Sequence, residues 1–160
     1  MNAKNFNTEI FNQFDKKWAL LTAGTPNDFN TMTISWGGMG TLWGRPVVTV
    51  YVRPNRHTYG YINANDYFTV SFYPEAYRKD LGVLGSLSGR DGDKVAKTDL
   101  TPAEVAHGVT FKEAELTFVC RKLYVQDMDG AAIAPEVMAE CYSGEPVHRM
   151  YIGEVVEVLG

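Results

Sequence analysis

Three short stretches hold residue types that can do chemistry together. In "VRPNRHTYGYI", Arg53 ends a strand-like run, Pro54 stops any ladder, and Arg56, His57 and Thr58 stand where a helix should begin. With Thr58 as the expected N-cap, unpaired amides and the positive end of the helix dipole lie beside two guanidinium groups. That arrangement suits a phosphate; a capped helix with two solvated arginines is the competing account. In "FNTMTISWGGMG", Thr31, Thr33 and Ser35 alternate with Met32, Ile34 and Trp36 before the chain runs into glycines. Alternation of this kind marks a half-buried strand, here with one face of small hydroxyls. In "SGRDGDK", Ser88, Gly89, Arg90 and Lys94 add two further cations on a glycine-rich loop.

Neither glycine-rich stretch is a nucleotide motif in its own right. "GGMG" lacks the dinucleotide spacing and lies between strands, and "GSLSGRDGDK" has no Gly-Lys-Ser/Thr. The remaining candidates are single residues. His148 precedes the last strand-like run, while His107 in "EVAHGV" sits at an expected helix end and needs no role beyond capping. Cys120 and Cys141 are the only cysteines, too few for a disulfide framework or a zinc cluster, and both are expected to be structural and buried. No metal site is expected.

The 160 residues are 45% hydrophobic and 21% charged with a net charge of -4, which fits one globular domain over residues 1–160 and gives no basic footprint for nucleic acid. The start lacks an apolar signal core and no run reaches membrane-spanning length, so a reduced cytoplasmic protein with no membrane partner is expected. Six runs read as strands: "WALLTAG", "TMTISW", "PVVTVYVR", "DYFTVSFY", "EAELTFVCRKLYVQDM" and "HRMYIGEVVEV". Val48, Val50 and Val52 share one face, as do Phe68, Val70 and Phe72. Short helices are expected over "TYGYINAN", "PEAYRKDLGVLG" (with Tyr77, Leu81 and Leu84 on one side) and "TPAEVAHG". Antiparallel strands with small helices at their ends point to a mainly β fold that closes into a barrel, because closure removes exposed edges.

The ordered set "FNTMTISWGGMGTLWGRPVVTVYVRPNRHTYGYI", "FTVSFY", "LGSLSGRDGDK", "AELTFVCRKLY" and "HRMYIGEVVEV" resembles the flavin reductase-like, flavoredoxin-type FMN-binding split barrels, from about Trp18 to Val158. The resemblance implies a six-stranded Greek-key split barrel, a homodimer, and one FMN per subunit near the dimer interface. It places Asn30, Thr31, Met32, Thr33, Ser35 and Trp36 along the flavin ring, many through main chain, with Ile34 in the core. Arg53, Arg56, His57 and Thr58 fall at the phosphate end, with Ser88, Gly89, Arg90 and Lys94 reaching ring or phosphate. Many relatives carry a histidine near the open flavin face, which makes His148 the candidate catalytic residue. The usual preceding Asp is here Val147.

On this reading the protein passes electrons from NAD(P)H, a transient substrate, through FMN to a flavin or other acceptor. An electron carrier reduced by a redox partner protein is the alternative, and a non-redox binding dimer the third.

Overall fold

A computed structural model describes every residue, Met1–Gly160. The helices are α1 (Ile10–Asp15), α2 (His57–Ala64), α3 (Arg78–Ser86) and α4 (Pro135–Cys141). The strands are β1 (Ala19–Thr25), β2 (Asp28–Ile34), β3 (Gly37–Leu42), β4 (Arg45–Val52), β5 (Tyr67–Phe72), β6 (Pro102–Val105), β7 (Gly108–Phe111), β8 (Leu116–Asp127) and β9 (Arg149–Leu159).

One curled antiparallel sheet has seven strands in the order β2-β1-β5-β8-β9-β4-β3, one more than the six expected. The extra strand is β3. Its "GGMGTL" sequence looks like a loop, yet it pairs residue by residue with β4, Gly37 opposite Val50 through Leu42 opposite Arg45. No ladder joins β2 to β3, so the sheet stays open at that seam instead of closing. Helix α1 helps to cover the seam. Phe14 packs edge-on against Phe72 at 5.5 Å, and a Cβ on Gly37 would lie 2.5 Å from the Phe14 ring. Gly37 is therefore required by a core aromatic, whereas Gly38 and Gly40 face open space.

Alternation sorts the sheet into two cores. Ala19, Leu21 and Ala23 of β1 face inward with Val48, Val50, Val52, Phe68, Val70 and Phe72. Leu20 faces outward with Leu81 and Leu84 of α3, and with Leu100 and Phe111. β1 is thus covered on both sides, and β2 beside it is fixed in register along its whole length, Ala19 opposite Ile34 through Thr25 opposite Asp28.

Residues 101–108, read as a helix, form a hairpin arm instead. β6 pairs with β7 from Pro102 opposite Phe111 to Val105 opposite Gly108. The reason is visible in the burial: Ala103 and Val105 are half-buried while Pro102 and Glu104 are exposed, a period of two rather than 3.6. His107 does not cap a helix. It turns the hairpin at φ 68° and stacks flat on Tyr67 at 4.1 Å. Cys120 is buried as expected, but Cys141 at the end of α4 is only half-buried.

Close packing at the middle of β9 makes a testable contrast. A Cβ on Gly153 would come 2.7 Å from the Phe68 ring and 2.8 Å from the Cys120 Cβ, both on central strands. Gly153→Ala is expected to lower stability by about 1–3 kcal/mol through overpacking. Gly38→Ala, in open space, is expected to stay within about 0.5 kcal/mol of the parent, with urea midpoints as the measure.

Candidate functional site

The strand edge, the start of α2 and the loop after α3 meet in one cleft of about 160 Å³. Thr58 is not the N-cap it was expected to be: helix α2 starts at His57, which puts the cap two residues earlier. Its N-cap is Arg56 in extended conformation, and no side chain caps it. Thr58 lies in the first turn, buried, where its hydroxyl accepts a 2.7 Å hydrogen bond from the Asn30 amide of β2. That bond ties helix start to strand edge. The loop after α3 closes against both: a Cβ on Gly89 would collide with the Asn30 amide oxygen and the His57 ring.

The charges in this cleft are one-sided. The cations Arg56, Arg90 and Lys94 line it beside the His57 ring, and no Asp or Glu does. Arg56 is exposed and has no carboxylate within ion-pair distance. Arg90 donates from Nη1 to the Asn55 carbonyl at 2.8 Å. Lys94 is buried, and it is held rather than mobile: Nζ donates to the carbonyls of Leu84 (3.0 Å) and Leu87 (3.2 Å) at the end of α3. An ammonium has three donors, so one is left for a ligand. Burial, and then the Arg56 charge, lowers the Lys94 pKa to about 8. Donors of this number and sign fit a phosphate; the volume holds that group and not a whole flavin nucleotide.

A second cluster lies at the other end of the Arg53–Arg56 segment. His148 is buried among Trp36 (ring centroids 5.4 Å apart), Tyr51 (6.4 Å) and Tyr142 (5.4 Å). The Tyr142 hydroxyl meets His148 Nδ1 at 2.5 Å. Burial, then the charges of Arg53 and Arg56, lowers the His148 pKa to about 4, so the imidazole is neutral near pH 7. Trp36 remains 47% exposed, an aromatic face open to solvent. Arg53 lies 5.1 Å over the Tyr142 ring and donates to the Cys141 carbonyl at 3.0 Å.

Asn30, Met32, Thr33, Arg56, His57, Thr58, Ser88, Gly89, Arg90 and Lys94 therefore share one cleft, as lining residues. Trp36, Arg53 and His148 belong to the aromatic cluster, and Ser35 sits in the link between β2 and β3. Two of the three hydroxyls of the row, those of Thr31 and Thr33, are spent within the protein. Thr31 is fully buried and shares a 2.8 Å hydrogen bond with Thr22, and Thr33 donates to the Leu81 carbonyl of α3. What β2 offers a ligand is its free edge: as the terminal strand it has alternate N–H and C=O groups aimed away from β1. Tyr51, Asn55 and Tyr142 were not identified from sequence. Tyr142 follows α4, whose short "PEVMAEC" sequence carries no signal of a site.

The sequence matches the flavin reductase like domain over residues 11–159. The chain belongs to that family. Solved structures with the same fold include the flavoredoxin of Methanosarcina acetivorans (TM-score 0.71, 20% identity, covering 98% of this chain and 74% of that one). They also include an FMN-binding protein of Thermus thermophilus with 1-cyclohex-2-enone bound (0.71, 21%, 99% and 78%). A third is the flavoredoxin of Desulfovibrio vulgaris (Miyazaki F) (0.69, 20%, 99% and 76%). No curated protein matches the sequence. No helix is long and apolar enough to cross a membrane.

The state of His148 sets a pH dependence of stability. Unfolded, the imidazole takes a proton near pH 6.5; folded, only near 4. Between those values acid protonates the unfolded chain preferentially, so stability contributed at neutral pH is lost as pH falls below about 6.5. From about pH 7 to about pH 5 the parent is expected to lose roughly 1–2 kcal/mol more than His148→Asn, compared by urea unfolding.

Proposed function

We propose that this protein binds FMN and transfers electrons through it, accepting them from NAD(P)H. The observation that carries the reading is the cleft with four nitrogen-bearing cationic or imidazole side chains and no carboxylate, set at an uncapped helix start. Arg56 supplies a guanidinium fork, the first turn of α2 its amides, and Lys94 its remaining N–H, which together offset the desolvation of a near-dianionic phosphate. The free edge of β2 and the link at Ser35 and Trp36 lie in line to bond the polar rim of the ring through main chain. When bound, FMN supplies the hydride acceptance and electron storage that no side chain here offers.

The chain's own residues hold and shield. The Tyr142 hydroxyl pairs with Nδ1 and so orients the His148 ring; in the tautomer where Tyr142 donates, Nε2–H is a neutral donor on the aromatic side of the site. Trp36 keeps an aromatic surface accessible for a planar substrate. A second reading, a carrier reduced by a partner protein without NAD(P)H turnover, draws support from the flavoredoxins among the structural neighbours. We also propose a homodimer. Trp43, 60% exposed and edge-on to half-exposed Tyr124 at 6.3 Å, is the kind of apolar surface that a partner covers.

Two measurements test this. Arg56→Ala is expected to weaken FMN by about ten- to a hundredfold while riboflavin, the same ring without phosphate, hardly changes. Equal loss for both makes Arg56 structural, and no loss places the phosphate elsewhere. Anaerobic NADH or NADPH should bleach the flavin bands of loaded protein quickly, and His148→Ala should slow that bleaching with FMN content retained. Bleaching by dithionite alone favours the carrier, and a protein that takes up no FMN sinks both readings.

A further inference from the structure

The segment that carries Arg56 into the phosphate cleft has a second face. Arg53, Asn55, Arg56 and Glu145 line an open groove of about 380 Å³ there, more than twice the room of the cleft. Glu145 is its one anion. Its Oε2 accepts from the Asn55 amide at 3.2 Å and lies 3.6 Å from Arg53 Nη1. The carboxylate rides on the turn after α4, where the Glu145 N–H donates to the Tyr142 carbonyl at 3.0 Å and Gly144 takes φ 75°.

We propose that this groove is a second anion site, which takes the phosphates of a dinucleotide reductant, and that Glu145 is the carboxylate such a ligand displaces. The role of the ligand rests on the FMN reading above; the groove itself does not.

Three features point this way. First, Glu145 is weakly held. Its side chain is 50% exposed, and at 3.6 Å its contact with Arg53 is a surface ion pair, the class that contributes least. Second, Arg53 does not depend on Glu145 for its position. The Cys141 carbonyl and the Tyr142 ring hold the guanidinium, so it stays placed when the carboxylate swings out. Third, the groove adjoins the aromatic cluster through Tyr142, which carries Arg53 on its ring and His148 on its hydroxyl. Phosphates seated between the two guanidinium groups would leave an attached aromatic group within reach of Trp36 and His148. A single phosphate has no use for the extra room, while a pyrophosphate can place one phosphate at Arg53 and the other at the donors that Arg56 does not give to the FMN phosphate. A carboxylate lodged there in the free protein acts as an internal competitor, which sets affinity and rejects weakly charged ligands.

The test is calorimetric titration with ADP-ribose, which has the pyrophosphate and lacks nicotinamide, on protein with and without added FMN, at low and at physiological salt. Adenosine serves as the uncharged control. Glu145→Gln is expected to tighten ADP-ribose about three- to tenfold, and Arg53→Gln to weaken it by a similar factor, both more strongly at low salt. Adenosine should not distinguish the variants. Unchanged or weaker ADP-ribose binding by Glu145→Gln overturns the assignment, as does a gain that adenosine shares. Binding that responds to Glu145 in a protein without affinity for FMN upholds the groove and removes the FMN reading. FMN uptake with no ADP-ribose binding in any variant removes the groove and leaves FMN standing.

Discussion

Backbone carbonyls hold three of the site's four Arg and Lys side chains, Lys94, Arg53 and Arg90, in place, and only Arg53 also meets a carboxylate. Lys94 is fixed by the carbonyls of Leu84 and Leu87 at the end of α3, Arg53 by that of Cys141 at the end of α4, and Arg90 by that of Asn55. The last carbonyls of a helix have no partners within it and carry the negative end of its dipole, so they suit ammonium and guanidinium groups. The consequence is electrostatic. A carboxylate partner would position a cation and cancel it, whereas a carbonyl positions it and leaves most of the charge for a ligand. The surviving positive field shows in its effect on neighbours: the Arg56 charge helps to lower the Lys94 pKa, and Arg53 and Arg56 help to keep His148 neutral.

That arrangement depends in turn on the two cores. β1 is covered by the inner core on one face and by α3 on the other, so β2 and α3 are both placed against the same strand. Thr33 donating to the Leu81 carbonyl joins them directly. Asn30 donating to Thr58 then locks the start of α2 to β2. At the other end of α2, Lys122 of β8 donates to the carbonyls of Ile62 (2.7 Å) and Asn63 (3.3 Å), so the helix is fixed at both ends. Donor groups from three separated segments converge because each is pinned to the sheet by a bond of this kind. Preorganisation of charged donors is what lets a weakly built surface cleft bind an anion without first paying to collect them.

Three strands, β3, β6 and β7, were not expected from the sequence, and two causes account for them. A strand is recognised in sequence by side-chain pattern, but β3 is mostly glycine and threonine and has little pattern to show. Its existence follows from the partner: β4 offers an unpaired edge, and β3 fills it. In β6 the expected helix lost to a two-residue turn at Ala106 and His107, with His107 held in a left-handed conformation. The threonine row of β2 was read correctly as one face of a strand, yet the face turned out to be covered by α3. Alternation identifies faces and does not say what lies over them.

Sequence by itself determined the local features: six of the seven sheet strands, the helix after Asn55, the glycine-rich cationic loop, and a candidate set most of which lines one cleft. These are legible because alternation, helix starts and clustered charge are written within a few consecutive residues. Only the tertiary structure decided which charges remain unpaired, since that depends on distant carbonyls and on Glu145, 92 positions beyond Arg53 by subtraction of their numbers. It alone brought Tyr142 to His148 and set Thr31 against Thr22 rather than toward a ligand. Whether the groups are near in the chain, as in these two pairs, or distant, as Arg53 and Glu145 are, their pairing is fixed by how elements pack. Packing is a property of the whole core that no short stretch contains.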